Sequence, residues 1–309
     1  MIEAVKAGLL LGAALLIGGG VAARFVAPQL LADSHVFRKR VWAGTLAGLG
    51  LLGALSALDL VVTLLNAIGR FDPELLWSYL RQTRHGHATQ LRYLLLPIIG
   101  TLALWVRPEA SKGIRRLTNA VFAGLSVLLL GTLSVTSHAA SVGGLPALLV
   151  DLAHFAAACA WAGPLFYLAI YPAWRTSSKP ALESALLGLS RVGLASVVVL
   201  FVSGIYSSLL HLQDPPAFVA SPYGQTLGIK LVLVFVIIGL AGINRFWLLP
   251  NFSSRGASSL KVALRVELVV LAAVFVTTGV LSTSPLPHAG DSPGVLANLQ
   301  TFWGYLLTR

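Results

Sequence analysis

The chain has 309 residues, 56% of them hydrophobic and only 11% charged, with a mean hydropathy of +0.82. That balance excludes an ordinary soluble domain and fits a multispanning membrane protein. The formal charge of +11 would suit a polyanion if it covered one surface, but most of the 22 Lys and Arg fall in four short connections, so no nucleic-acid partner is implied. Cys159 is the single cysteine, which rules out an intrachain disulfide, and the only methionine is Met1.

Mostly apolar windows, long enough for a helix to cross about 30 Å of hydrocarbon, recur near 5–26, 41–65, 91–106, 117–137, 149–171, 189–210, 226–248 and 263–284. The predicted fold is therefore all-α, a polytopic membrane bundle of about eight transmembrane helices forming one integral membrane domain. The first window has small residues at 21–23 where a signal peptidase would cut, but its length favours a retained helix. The third is short and needs Tyr93 and Val106 to reach a spanning length.

Basic residues cluster in Arg24–Arg40, Arg107–Arg116, Arg175–Arg191 and Arg245–Arg265, the connections after the first, third, fifth and seventh windows. The positive-inside rule makes these connections cytoplasmic and places both termini outside. Of the outer connections, 66–90 contains Asp72-Pro73-Glu74, a helix start, followed by Leu75, Leu76, Tyr79 and Leu80 at helical spacing. A short helix on the membrane surface is expected there, and the tail carries a similar apolar face in Leu296, Leu299, Phe302, Trp303, Leu306 and Leu307.

A faint internal repeat aligns 14–28 with 158–172 and 131–138 with 279–286. It divides the chain into a first four-helix half, 1–137, and a second half, 138–309, in the same orientation.

On this topology His85, His87, His138, His154, His211 and His288 all fall at or near the outer face, and only His35 lies inside. Asp151 precedes His154 by one helical turn on the same face, and Asp59 lies a few residues inside the outer end of the second span. Ionisable groups at such depth are functional candidates.

Imidazole and carboxylate donors suit copper(II), zinc or iron, whereas copper(I) favours sulfur ligands, of which this chain has only Cys159 and Met1. Asp151 either joins His154 on one metal or accepts its second ring N–H and so orients it. A loop rich in Gly and Pro brings His138 back towards them, and an H-x-H pair, if extended, would point His85 and His87 the same way.

The metal set is thus His138, His154, Asp151, His87 and His85, with Asp59, His211, His288 and Lys230 as secondary candidates. Lys230 would pair with Asp59 or Asp151 and hold a carboxylate until metal displaces it. Glu267, near the inner start of the last span, is expected in a structural ion pair with Arg245, and Cys159 is expected to be a packing residue.

Six stretches in order, "SHAA" (137–140), "DLAHFAAACAWAG" (151–163), "SGIY" (203–206), "SPYGQTLGIK" (221–230), "NR" (244–245) and "RVE" (265–267), resemble the CopD (copper resistance protein D) family of bacterial inner-membrane proteins. The resemblance runs from about Ser137 to Pro287 and is weaker before it. It implies a helical copper-handling protein without enzymatic activity, with a periplasmic partner of the CopC type and copper uptake across the inner membrane. It carries His138, Asp151 and His154 over as site residues. Pro164 stands where the family tends to have a second glycine.

Two other readings compete with copper transport: a b-type haem electron carrier, pairing His154 with His211 or His138 on the iron, and a metal-free membrane adaptor for a periplasmic partner.

Overall fold

The computed structural model describes residues 2–68, 72–105, 110–136, 144–172, 174, 177–211, 221–252 and 257–284. Within them the chain forms ten α-helices and no strand: α1 (Ile2–Val21), α2 (Pro28–Asp33), α3 (His35–Ile68), α4 (Pro73–Gln82), α5 (Arg84–Leu104), α6 (Lys112–Ser134), α7 (Gly144–Ala169), α8 (Lys179–His211), α9 (Pro222–Ile243) and α10 (Ala257–Leu281). Five-residue π-helical turns, Ala22–Val26 and Asn244–Leu248, extend α1 and α9.

Among the described residues, seven helices are long and apolar enough to cross a membrane: α1, α3, α6, α7, α8, α9 and α10, with α1 and α9 counted together with their π turns. The eighth expected span, α5, is not among them, because its first half carries Arg84, His85, His87, Gln90 and Arg92. It nevertheless packs in the bundle against α1, α3 and α6.

Several helices overrun the apolar windows. α3 begins at His35 and α8 at Lys179, so helices of 34 and 33 residues continue into the basic connections. At 1.5 Å per residue, 34 residues reach about 51 Å, well past the hydrocarbon.

α1 is the most enclosed of the spans and is apolar all round, as a helix surrounded by others should be. It packs against α3, α5, α7 and α10. The outer surface is apolar too: Trp247, Phe246 and Val269 are 73%, 70% and 69% exposed. Such a surface belongs against lipid rather than water.

Tertiary contacts fix which helix ends lie together. Gly279, late in α10, meets Glu3 and Ala7 at the start of α1, whereas Arg265, early in α10, donates to the Ala169 carbonyl at the end of α7. The starts of α1 and α7 therefore share one end of the bundle, here termed the near end, and the start of α10 lies at the far end.

At the far end, Arg24 leaves the π turn after α1, stacks 4.5 Å from the Phe122 ring centre and donates to carbonyls of Leu102, Ala103 and Trp105. It thereby satisfies the carbonyls left open at the end of α5, where a cation is also favoured by the helix dipole.

α4 starts as expected. Asp72 Oδ1 accepts from the amides of Glu74 and Leu75 at 3.0 and 3.3 Å, with Pro73 in the first turn. Pro164 lies within α7, which continues through it to Ala169. The segments 137–143 and 285–309, with His138, His288 and the amphipathic tail, lie outside the described residues, as does the side chain of His211.

Candidate metal centre

Two polar clusters occupy the near end. The first is built around Asp151 and His154, one turn apart on α7, where Ser203 of α8 and Lys230 of α9 face them. His154 Nδ1 lies 2.9 Å from Ser203 Oγ, and the Ser203 hydroxyl reaches back 2.5 Å to the Val199 carbonyl.

A hydroxyl has one proton, and here it is directed at Val199. Ser203 Oγ therefore accepts from His154, which places the ring proton on Nδ1 and the lone pair on Nε2. Serine plays the orienting part that the sequence reading offered to Asp151. The Lys230 ammonium lies within electrostatic range of both His154 and Asp151, so Lys230 belongs to this cluster.

The second cluster is built around Asp59, late in α3 and 1% exposed. Lys6 Nζ lies 2.9 and 3.1 Å from its two oxygens, and His85 Nε2 lies 3.3 Å from Oδ2. The expected partner Lys230 is replaced by Lys6, because the start of α1 rather than that of α9 packs against α3.

His85 and His87 sit in the first turn of α5, not in an extended segment. Two residues along a helix rotate the side chain by about 200°, so the rings diverge. His85 turns inward, its Nδ1 3.0 Å from the Tyr79 hydroxyl, while His87 is exposed and its Nε2 lies 2.7 Å from the Arg81 carbonyl. Burial, aided by the Asp59 charge, pushes the Tyr79 phenol above its ordinary value, so it keeps its proton and donates it to His85 Nδ1. His85 Nδ1 is thus taken by Tyr79 and its Nε2 lies against the Asp59 carboxylate, whereas His154 presents a lone pair.

Beneath this cluster lies Arg92, fully buried and absent from the sequence reading. Its Nε donates to Thr132 Oγ1 at 3.0 Å, Nη1 to Ser56 Oγ at 3.0 Å and Nη2 to the Thr132 carbonyl at 2.9 Å. Ser56 and Thr132 accept because their own protons go to the carbonyls of Leu52 and Leu129. An arginine inside a 16-residue apolar window is itself the signal that would have found it.

The expected Glu267–Arg245 ion pair does not form. Glu267 Oε2 accepts from Asn244 Nδ2 at 2.6 Å, Trp161 also bonds the carboxyl, and Arg245 donates to Ser190 Oγ at 2.6 Å. Cys159 is buried where α7 meets α1 and packs there, as expected. Among the described residues no three His, Cys, Asp or Glu side chains converge on one point. His154 and Asp151 thus supply two donors, and the third candidate, His138, lies outside the described residues.

Comparisons with known proteins point one way. A family model described as copper resistance protein D matches residues 183–281, and one described as copper resistance protein D-like, N-terminal domain, matches residues 1–148. Both halves match, the first as well as the second where the motif resemblance is stronger, and Asp151 and His154 fall between the matched segments. Copper resistance protein D of Pseudomonas syringae pv. tomato is 30% identical over 183 residues, which cover 54% of this chain and 59% of that protein. The chain thus spans about three-fifths of the length of the curated relative it matches. No solved structure matches.

Proposed function

Because the chain belongs to the copper resistance protein D family, we propose that this multi-pass membrane protein takes copper at its near end and passes it across the bilayer. The near end is the periplasmic face of a bacterial inner membrane, with both termini on that side. The basic connections at the far end support this orientation.

Copper is the cargo. His154 Nε2 and an Asp151 oxygen form one edge of its site, and His138, which lies outside the described residues, is the third ligand of this proposal. Lys230 holds the Asp151 carboxylate in the absence of metal and yields it when copper arrives. A periplasmic carrier of the CopC type delivers the ion. The observation that carries this reading is the orientation of His154: with Nδ1–H given to Ser203, the ring offers a lone pair on Nε2 beside a carboxylate one turn away.

The test is elemental analysis of the purified protein after exposure to copper and desalting. The parent should retain copper, and His154→Ala, Asp151→Asn and His138→Ala should each lose it. Full retention by His154→Ala overturns the site, and iron in place of copper points to haem.

A separate expectation concerns Ser203→Ala. It removes the acceptor that sets the tautomer but no ligand, so copper still binds, with affinity lowered about 10- to 100-fold. Equilibrium dialysis reads the difference, and unchanged affinity would mean that Ser203 does not orient the ring.

A further inference from the structure

At the far end, α7, α8, α9, α10 and the π turn after α9 line a half-open cavity of about 180 Å³. That is room for several waters. Most of its wall is apolar, but Trp161, Ser190, Asn244, Arg245 and Glu267 all line it. Two stretches of the sequence that His154 does not explain, "NR" (244–245) and "RVE" (265–267), meet here.

Glu267 is 2% exposed and Asn244 7%. The carboxylate only accepts hydrogen bonds, so it holds the donating side of the Asn244 amide, Nδ2, towards itself. Asn244 Oδ1 is buried without a hydrogen-bond partner among the described residues. A buried acceptor of this kind calls for a donor or a cation. The local backbone is adapted as well: the Leu249 amide bonds the Asn244 carbonyl five residues back, at 2.9 Å. Such π turns recur at functional sites.

We propose that this cavity is a second cation site, in which the Glu267 carboxylate and Asn244 Oδ1 hold copper through oxygen alone before it leaves the membrane. This rests on copper being the cargo. An oxygen-only site binds copper more weakly than one containing imidazole, and an exit station must release what it receives. Arg245, on the same wall and held by Ser190, opposes the cation's charge and lowers its affinity further.

The experiment uses the purified full chain in detergent, loaded with copper(II) and measured by equilibrium dialysis and electron paramagnetic resonance. The parent should bind two kinds of copper, one coupled to imidazole nitrogen and a weaker one without nitrogen coupling. Glu267→Gln, and independently Asn244→Ala, should lose only the nitrogen-free component. Arg245→Gln should bind that component more tightly than the parent, an effect that misfolding would not mimic. His154→Ala should keep it and lose the nitrogen-coupled signal.

A parent with only nitrogen-coupled copper, unchanged by Glu267→Gln and Asn244→Ala, overturns the far-end site and leaves the near-end site standing. A parent with only nitrogen-free copper, lost in Glu267→Gln, overturns the near-end reading instead. Weaker binding in Arg245→Gln overturns the role given to that arginine and, with it, the cation assignment.

Discussion

Arg92→Ala is expected to lower the stability of the purified protein by about 3–5 kcal/mol, the range for removing one member of a buried charged network. Three hydrogen bonds tie this side chain to α3 and α6, and its charge acts on Asp59. Alanine leaves a large void among the helices and nothing to join Ser56 to Thr132. Arg92→Met fills most of the void and removes the need to bury a cation, so it should lose well under half as much. Thr132→Val probes the bond rather than the volume. It leaves Nε of a buried guanidinium without its acceptor, and about 1–3 kcal/mol should be lost. Thermal unfolding in detergent orders the variants. If methionine is as damaging as alanine, charge rather than packing is what the bundle needs at this position.

The same arginine shows where the sequence was legible and where it was not. Hydropathy located seven spans because crossing hydrocarbon demands continuous apolar length, a property of each segment alone. The apolar window covers only the second half of α5 because Arg84, His85 and His87 read locally as a loop; the burial of His85 and Arg92 depends on Asp59, Tyr79, Ser56 and Thr132, which come from other helices. Lys6, at the edge of the first window, carries no local signal for the same reason, since only the antiparallel packing of α1 on α3 sets it beside Asp59.

Asp151 and His154 were legible because both lie one turn apart on a single helix. Their surroundings, Ser203 and Lys230, belong to two further helices, and sequence gave Lys230 two carboxylates to choose between without deciding. Glu267 was read against the nearest cations. Burial instead selected the neutral donors Asn244 and Trp161, which satisfy a carboxyl oxygen without a second charge being desolvated.

Gly163→Ala is expected to destabilise the bundle by about 1–3 kcal/mol, as overpacking does, even though alanine is the better helix former. A Cβ at Gly163 would stand 2.3 Å from the Gly18 Cα and 2.4 Å from the Ala14 carbonyl oxygen. Those are backbone atoms, so no rotamer change relieves the clash and α1 must separate from α7. Without a hydrophobic force between helices in lipid, such close backbone packing is much of what holds spans together. The strain falls on α1, which also touches α3, α5 and α10, so Lys6 is drawn away from Asp59 as well. Gly204→Ala supplies the opposite sign: a Cβ there meets nothing within 4 Å, and removing a mid-helix glycine should stabilise by about 0.5–1 kcal/mol. Measured side by side in detergent, the two substitutions change the same atoms, so a loss at Gly163 with a gain at Gly204 isolates the helix contact. Equal shifts at both sites would mean that α1 and α7 do not approach this closely.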